Sequence, residues 1–291
     1  MAIRSWLFIP GDSEKKQAKA LSTGADALIL DLEDSVTPAN KPAARAMVCA
    51  WLQAHPAGTG PARWVRINAL DSSQWRDDLA AVMPGQPDGI MLPKSAGPAT
   101  VAELSTALDA LESACSIAAG STRILPLVSE TAAAAITIPT YAATPIPPRL
   151  AGLTWGAEDL SAAIGATRKR NAAGEWTDAF RFARTQTLLT AHACGVFALD
   201  TLHADFADST GLQTAAEAAR ADGFTGMLAI HPAQIAVINA AFTPSPVELA
   251  EARAIVAAFA ANPAAGALQI DGRMIDRPHL VLAERILASA G

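Results

Sequence analysis

The sequence predicts an α/β chain folded as a (β/α)8 TIM barrel that carries a C-terminal helix–hairpin–helix lid. Three observations predict it. Eight short apolar runs alternate with helix-like runs across residues 1–243. Polar and charged residues cluster just after nearly every apolar run, where a barrel concentrates its site. The alternation then breaks at Thr243-Pro244-Ser245-Pro246, and residues 244–291 follow another pattern. An eight-unit barrel needs about 250 residues, and the chain has 291.

The predicted strands are 6–10, 27–32, 64–68, 89–93, 124–129, 150–155, 196–201 and 226–230. Each is short and apolar on both faces, as a buried parallel strand must be. The clearest predicted helices are 43–54, 101–114, 179–194 and 212–221; within the second, Val101, Leu104, Leu108 and Leu111 recur at helical spacing. An open doubly wound sheet also accommodates eight strands; the strand-end charges favour the closed barrel. After the proline pair comes a predicted helix over 247–261, then two short apolar runs about Asp271-Gly272, a hairpin turn signal. A last helix is predicted over 279–289. This tail reads as a lid or an oligomerisation arm.

Composition narrows the function. Half the residues are apolar, at 51%, so a large core is available. The net charge of −6 argues against nucleic acid and against anionic membranes, which both need a basic face. Cys49, Cys115 and Cys194 contain no Cys-x-x-Cys pair, so neither a zinc site nor a disulfide framework is expected, and each reads as a buried small hydrophobe. No run of 18 apolar residues predicts a membrane span and no signal-peptide pattern opens the chain. A cytoplasmic location is expected.

Four strand ends carry charges: Asp31-Leu32-Glu33-Asp34, Arg66 with Asn68, Glu130, and Glu158-Asp159. In a barrel these ends converge, so the carboxylates share a small volume and repel unless a cation or protons compensate. Oxygen donors without convergent His or Cys select a hard ion such as Mg²⁺, which takes one or two carboxylates. Arg66 suits a substrate carboxylate or a developing oxyanion. Plainer readings stand beside these. Asp34 or Asp159 caps the following helix; Glu130 is half of an ion pair with Arg66; Asp31 and Glu33 support the ligands rather than touch the metal. His203 is a loop histidine with a local partner, or it reaches the site.

The segments Phe8-Ile9-Pro10-Gly11-Asp12, Asp31-Leu32-Glu33-Asp34-Ser35-Val36, Arg66-Ile67-Asn68, Leu92-Pro93-Lys94, Glu130-Thr131, Gly156-Ala157-Glu158-Asp159-Leu160 and Ile230-His231-Pro232-Ala233-Gln234-Ile235 occur in order. With Asp271-Gly272-Arg273-Met274-Ile275-Asp276 in the tail, they resemble the citrate lyase β-subunit-like proteins of the HpcH/HpaI aldolase superfamily over nearly the whole chain. The resemblance implies a Mg²⁺-dependent carbon–carbon lyase acting on a β-hydroxyacyl-CoA thioester, such as citryl-CoA or malyl-CoA, with a 2-oxo acid as one product. It implies Glu130 and Asp159 as Mg²⁺ ligands, Arg66 and Glu130 against substrate, and Arg66 with Asp276 as catalytic residues. Asp276 is the implied acid–base group on a lid that closes over a neighbouring subunit of a homotrimer or hexamer. Lys19 is the implied coenzyme A contact, with the Ile230-His231 backbone nearby.

Two positions depart from the family. Malyl-CoA lyases carry an arginine where this chain has Ser13, and many relatives have Lys-Trp where it has Met227-Leu228; both weigh against the usual CoA ester. Lys15 and Lys16 are either a substitute charge or ordinary surface lysines. A CoA-independent 2-oxo acid aldolase, a malyl-CoA-type thioesterase, a subunit of a citrate lyase complex and a non-catalytic ligand-binding barrel are the alternatives. Ala157, Leu199, Thr201 and His203 are the expected pocket lining.

Overall fold

A computed structural model describes residues 3–142 and 145–290. The barrel alternates strands and helices: β1 (Ser5–Pro10), α1 (Glu14–Lys19), β2 (Ala27–Asp31), α2 (Lys41–Ala54), β3 (Ala62–Arg66), α3 (Trp75–Val82), β4 (Gly89–Leu92), α4 (Pro98–Ala114) and β5 (Arg123–Pro126). It continues with α5 (Ala132–Thr137), β6 (Gly152–Thr154), α6 (Ala157–Ile164), α7 (Asp178–Cys194), β7 (Phe197–Asp200), α8 (Ser209–Asp222), β8 (Gly226–Ala229) and α9 (Ile235–Ala241). The strands are parallel, in the order β5-β4-β3-β2-β1-β8-β7-β6. Bridges Ile124–Leu150 and Leu127–Thr154 join β5 to β6, with Val128 N–H donating to Thr154 O at 2.9 Å. The predicted (β/α)8 barrel is the observed one.

Side-chain alternation along each strand makes two cores. One set faces outward under the helices and includes Leu7, Leu28, Leu30, Val65, Ile90, Ile124 and Ala198. The other fills the barrel: Trp6, Ala27, Ile29, Trp64, Met91, Leu125, Leu127, Leu199 and Leu228. Aromatic rings plug the N-terminal end, where Trp6 lies 5.1 Å from Trp64 and 5.3 Å from Phe197 between ring centroids. Glycine makes this possible: a Cβ on Gly89 would stand 2.3 Å from the Trp64 ring, and one on Gly152 2.0 Å from Phe197. Toward the C-terminal end the inward positions of β2 and β3 become Asp31 and Arg66. The inside is therefore apolar at one end and charged at the other.

Beyond the barrel, α10 (Pro246–Ala261), β9 (Ala267–Ile270), β10 (Arg273–Asp276) and α11 (Arg277–Ser289) form a helix–hairpin–helix unit. Asp271 and Gly272 have φ of 48° and 77°, the positive pair that a tight antiparallel turn demands. Ala252, Phe259, Ile275 and Ala283 are buried in this unit yet belong to neither barrel core. Arg220 of α8 pairs with Glu248 of α10 at 2.8 Å. The three cysteines are free but only half-buried, which corrects the expectation that they are buried hydrophobes. Among the described residues no helix is long and apolar enough to cross a membrane.

Candidate active site

A cavity of about 690 Å³ opens at the C-terminal ends of the strands. Its lining includes Arg66, Glu130, Asp159 and Lys19, four of the five predicted site residues. The fold thus brings together β3, the segment after β5, the first turn of α6 and α1. Asp276 is not among the lining residues. It lies at the end of β10, where His279 holds it, in a unit outside the barrel.

Arg66 is the centre of the charged end. Its Nε and Nη2 donate to the two carboxylate oxygens of Asp31, each at 2.7 Å. Nη1 lies 3.0 Å from Glu33 and 4.0 Å from Asp34, and the guanidinium sits 4.8 Å from the centre of the Phe8 ring. Burial works against the charge on Arg66, but Asp31 and Glu33 outweigh it and raise its pKa. Burial likewise works against the Asp31 carboxylate, and Arg66 with the Glu33 and Ser35 donors holds it below the usual range. Asp31 is thus the holder of Arg66. The ion pair of Glu130 with Arg66, one of the plainer readings, is not among the observed pairs.

Glu130 is only 3% exposed. Burial and the nearby Glu33 and Asp159 push its pKa up to about 8. Its recorded partner is the backbone N–H of Lys94, at 2.5 Å. Lys94 has φ of 52°, a costly conformation for a non-glycine residue, and its ammonium group reaches Glu33 at 2.7 Å. Gly156 leaves room here, since a Cβ on it would stand 3.2 Å from Glu130 Cγ. Asp159 lies in the first turn of α6, whose N-cap is Gly156, so Asp159 is not the cap. Asp34 likewise caps neither the 3-10 turn nor the helix that follows it. Among the described residues no set of three or more His, Cys, Asp and Glu is arranged to hold a metal, so Glu130 and Asp159 would serve as a pair.

Sequence reasoning missed a buried support beneath these groups. Lys41 is 8% exposed and donates to Leu32 O at 2.8 Å, Glu33 O at 3.1 Å and Asn68 Oδ1 at 2.7 Å. Asn68 donates to Asp78 at 2.6 Å, and Arg45 donates to Asp78 at 2.7 Å. This chain pins the segment after β2 to the end of β3. Nothing in the local pattern marks Lys41, which opens a helix as surface lysines do. Lys94 was legible only as part of the Leu92-Pro93-Lys94 segment.

The departures resolve differently. Ser13, Lys15, Lys16 and Lys19 all line the cavity, so the lysines share that space with Ser13. Met227 faces the outer core and is 3% exposed, so its difference from relatives does not touch the cavity; Leu228 does. Ala157 and Thr201 line the cavity, but Leu199 and His203 do not. Leu199 fills the barrel interior, and His203 lies 3.3 Å from Asp208, a local partner.

Comparison with known proteins gives a consistent set. The HpcH/HpaI aldolase/citrate lyase family matches residues 4–232, and a carbon–carbon bond lyase family of the TIM-barrel fold matches residues 175–291. The crystal structure of protein CitE from Mycobacterium tuberculosis, in complex with magnesium, acetoacetate and coenzyme A, is similar with a TM-score of 0.79 and 38% identity, over 100% of this chain and 98% of that one. A (3S)-malyl-CoA thioesterase from Cereibacter sphaeroides is 34% identical over 99% of this chain and 94% of its own. Mitochondrial citramalyl-CoA lyase from Mus musculus is 33% identical over 99% of this chain and 86% of its own. Strand-end motifs, barrel and full-length similarity agree: this chain belongs to the HpcH/HpaI aldolase/citrate lyase family.

Proposed function

We propose that the protein is a Mg²⁺-dependent carbon–carbon lyase that cleaves, or forms, a β-hydroxyacyl-CoA thioester of the citryl-CoA or malyl-CoA type. The observation that carries this is Glu130: a buried carboxylate with Asp159 on the same cavity wall and, among the described residues, no cationic side chain bound to it. Such a pair favours a small, oxygen-seeking cation over any other compensation. Glu130 and Asp159 are the residues that would hold Mg²⁺. When bound, the ion supplies Lewis-acid polarisation and a template for the hydroxyl and carboxylate oxygens of the portion that leaves as a 2-oxo acid.

The chain's own residues supply the rest. Asp31 takes two of the five Arg66 donors and Glu33 lies against Nη1, leaving the rest for negative charge on the substrate. Lys15, Lys16 and Lys19 at the rim suit the phosphates of coenzyme A and take over from the arginine replaced by Ser13. Asp276 accepts the substrate's hydroxyl proton as the C–C bond breaks, and the bond's electron pair becomes the thioester enolate. Because Asp276 lies outside the cavity lining, the lid unit of a second copy supplies it, in a homotrimer or hexamer. Residues 1–243 act as the barrel and 244–291 as the lid. The free half-buried cysteines fit a reducing cytoplasm.

The thioesterase among the relatives favours a second reading, hydrolysis of the same esters. One assay separates them. Purified protein is incubated with Mg²⁺ and a panel of β-hydroxyacyl-CoA esters, and products are identified. A 2-oxo acid with acyl-CoA is the expected result; a hydroxy acid with free CoA establishes hydrolysis. Activity that survives thorough chelation removes the metal from the reaction.

A further inference from the structure

Asp276 and His279 stand three positions apart, at the N-cap and N3 places whose side chains meet at a helix start. Asp276 is the residue before α11 and His279 lies in its first turn. His279 Nδ1 approaches Asp276 Oδ1 to 2.5 Å. The same nitrogen is 3.3 Å from the Asp276 backbone N–H. It cannot accept from that N–H and donate to the carboxylate at once. The shorter contact, to a charged oxygen, is the stronger, which favours the tautomer that carries the proton on Nδ1. The same two residues close a capping box at the start of α11, in which the other tautomer would accept from the Asp276 N–H.

The pair is accessible, with side-chain exposures of 46% for His279 and 34% for Asp276. Glu248 and Glu251 of α10, with Asp271 and Arg273 of the hairpin, line the same groove as His279. Among the described residues neither Asp276 nor His279 forms an ion pair with them. The imidazole and the carboxylate therefore act on each other.

We propose that His279 is a positioning residue for the carboxylate that moves the proton. Its Nδ1–H occupies Oδ1 of Asp276 and leaves Oδ2 to take the proton from the substrate's hydroxyl. The proton leaves the hydroxyl oxygen, joins Oδ2, and is returned to the enolate carbon of the acyl-CoA product; the imidazole keeps its own proton throughout. This inference rests on the reading of Asp276 as the proton-transfer group of the lyase.

The test uses the full-length assembled protein and the ester identified in the panel. His279→Ala should lower kcat by about 10-fold, leaving KM and the Mg²⁺ concentration for half-maximal rate unchanged. His279→Asn, whose side-chain N–H falls near the place of Nδ1, should keep kcat within about threefold of the parent. Added imidazole should restore part of the Ala variant's activity, which a helix-stabilising role would not allow. An Ala variant with parental kcat, beside an inactive Asp276→Asn, overturns the role of His279 and leaves Asp276 in place. A loss that neither Asn nor imidazole restores also overturns it. An Asp276→Asn variant as active as the parent instead removes the reading of Asp276 itself.

Discussion

Glu130 illustrates how one residue carries two opposed demands. Its carboxylate is buried, and its neighbours Glu33 and Asp159 repel its charge. On the proposed reading, such a site gives up stability of the empty protein for the binding of a cation. Glu130→Gln and Asp159→Asn should each weaken Mg²⁺ binding by at least about 100-fold, measured by calorimetry, and abolish metal-dependent turnover. Without metal, the melting temperature of Glu130→Gln should match or exceed the parent's; a fall of several degrees would show that the carboxylate is structural. Arg66 and Asp31 behave in the opposite way. Their side chains are 12% and 2% exposed, and removing one charge strands the other. Asp31→Asn should cost about 3 kcal/mol in denaturant unfolding.

Among the elements, boundaries were harder to read than existence. The strand predicted over 64–68 runs from Ala62 to Arg66, because the chain leaves the ladder once Asn68 turns to the Lys41 and Asp78 network. The strand predicted over 150–155 keeps only Gly152–Thr154, with an isolated bridge at Leu150. Short helices such as α1, α5 and α9 were not individually predicted; six or seven residues display too little of a 3.6-residue period. Two strand glycines have a reason invisible in one dimension: Gly89 and Gly152 vacate space for Trp64 and Phe197 on neighbouring strands. Gly89→Ala should cost about 1–3 kcal/mol by overpacking, seen as a lower denaturation midpoint with an unchanged slope.

Across the whole molecule, stability in acid follows from carboxylates held by arginines. Burial opposes the charge on Glu112, but Arg149 with the Thr122 and Gly120 donors lowers its pKa from 4.5 to about 2. Arg220 and the Ser245 backbone lower Glu248 to about 2 as well. A pKa depressed in the folded state contributes stability that is fully present above the unfolded value and is lost as pH falls through the folded one. Unfolding free energy should therefore decline from about pH 4.5 toward pH 2, and Glu112→Gln should flatten that decline. The more exposed Glu248 contributes less, since solvent screens it. At the same scale, co-assembly of Glu130→Gln and Asp276→Asn subunits should give activity well above either variant alone. Activity no higher than the variants' own would place Asp276 in the same subunit's site or outside the reaction.

By itself the sequence determined a parallel α/β sheet, because burial on both strand faces and a βα period leave little else for eight consecutive units, and the charges at the strand ends favoured its closure into a barrel. It also determined which residue types stand at the strand ends, and with them the family. Tertiary structure alone decided which of those residues meet. Asp31 grips Arg66 and Lys94 presents its amide to Glu130 because parallel register places the ends of β2, β3, β4 and β5 side by side. Side-chain direction, a property of the closed barrel, turned Met227 outward and Leu228 inward. Asp276 was legible as a motif, yet only the fold shows that it stands outside its own chain's cavity lining, because the C-terminal helix–hairpin–helix unit packs its small core separately from the barrel's.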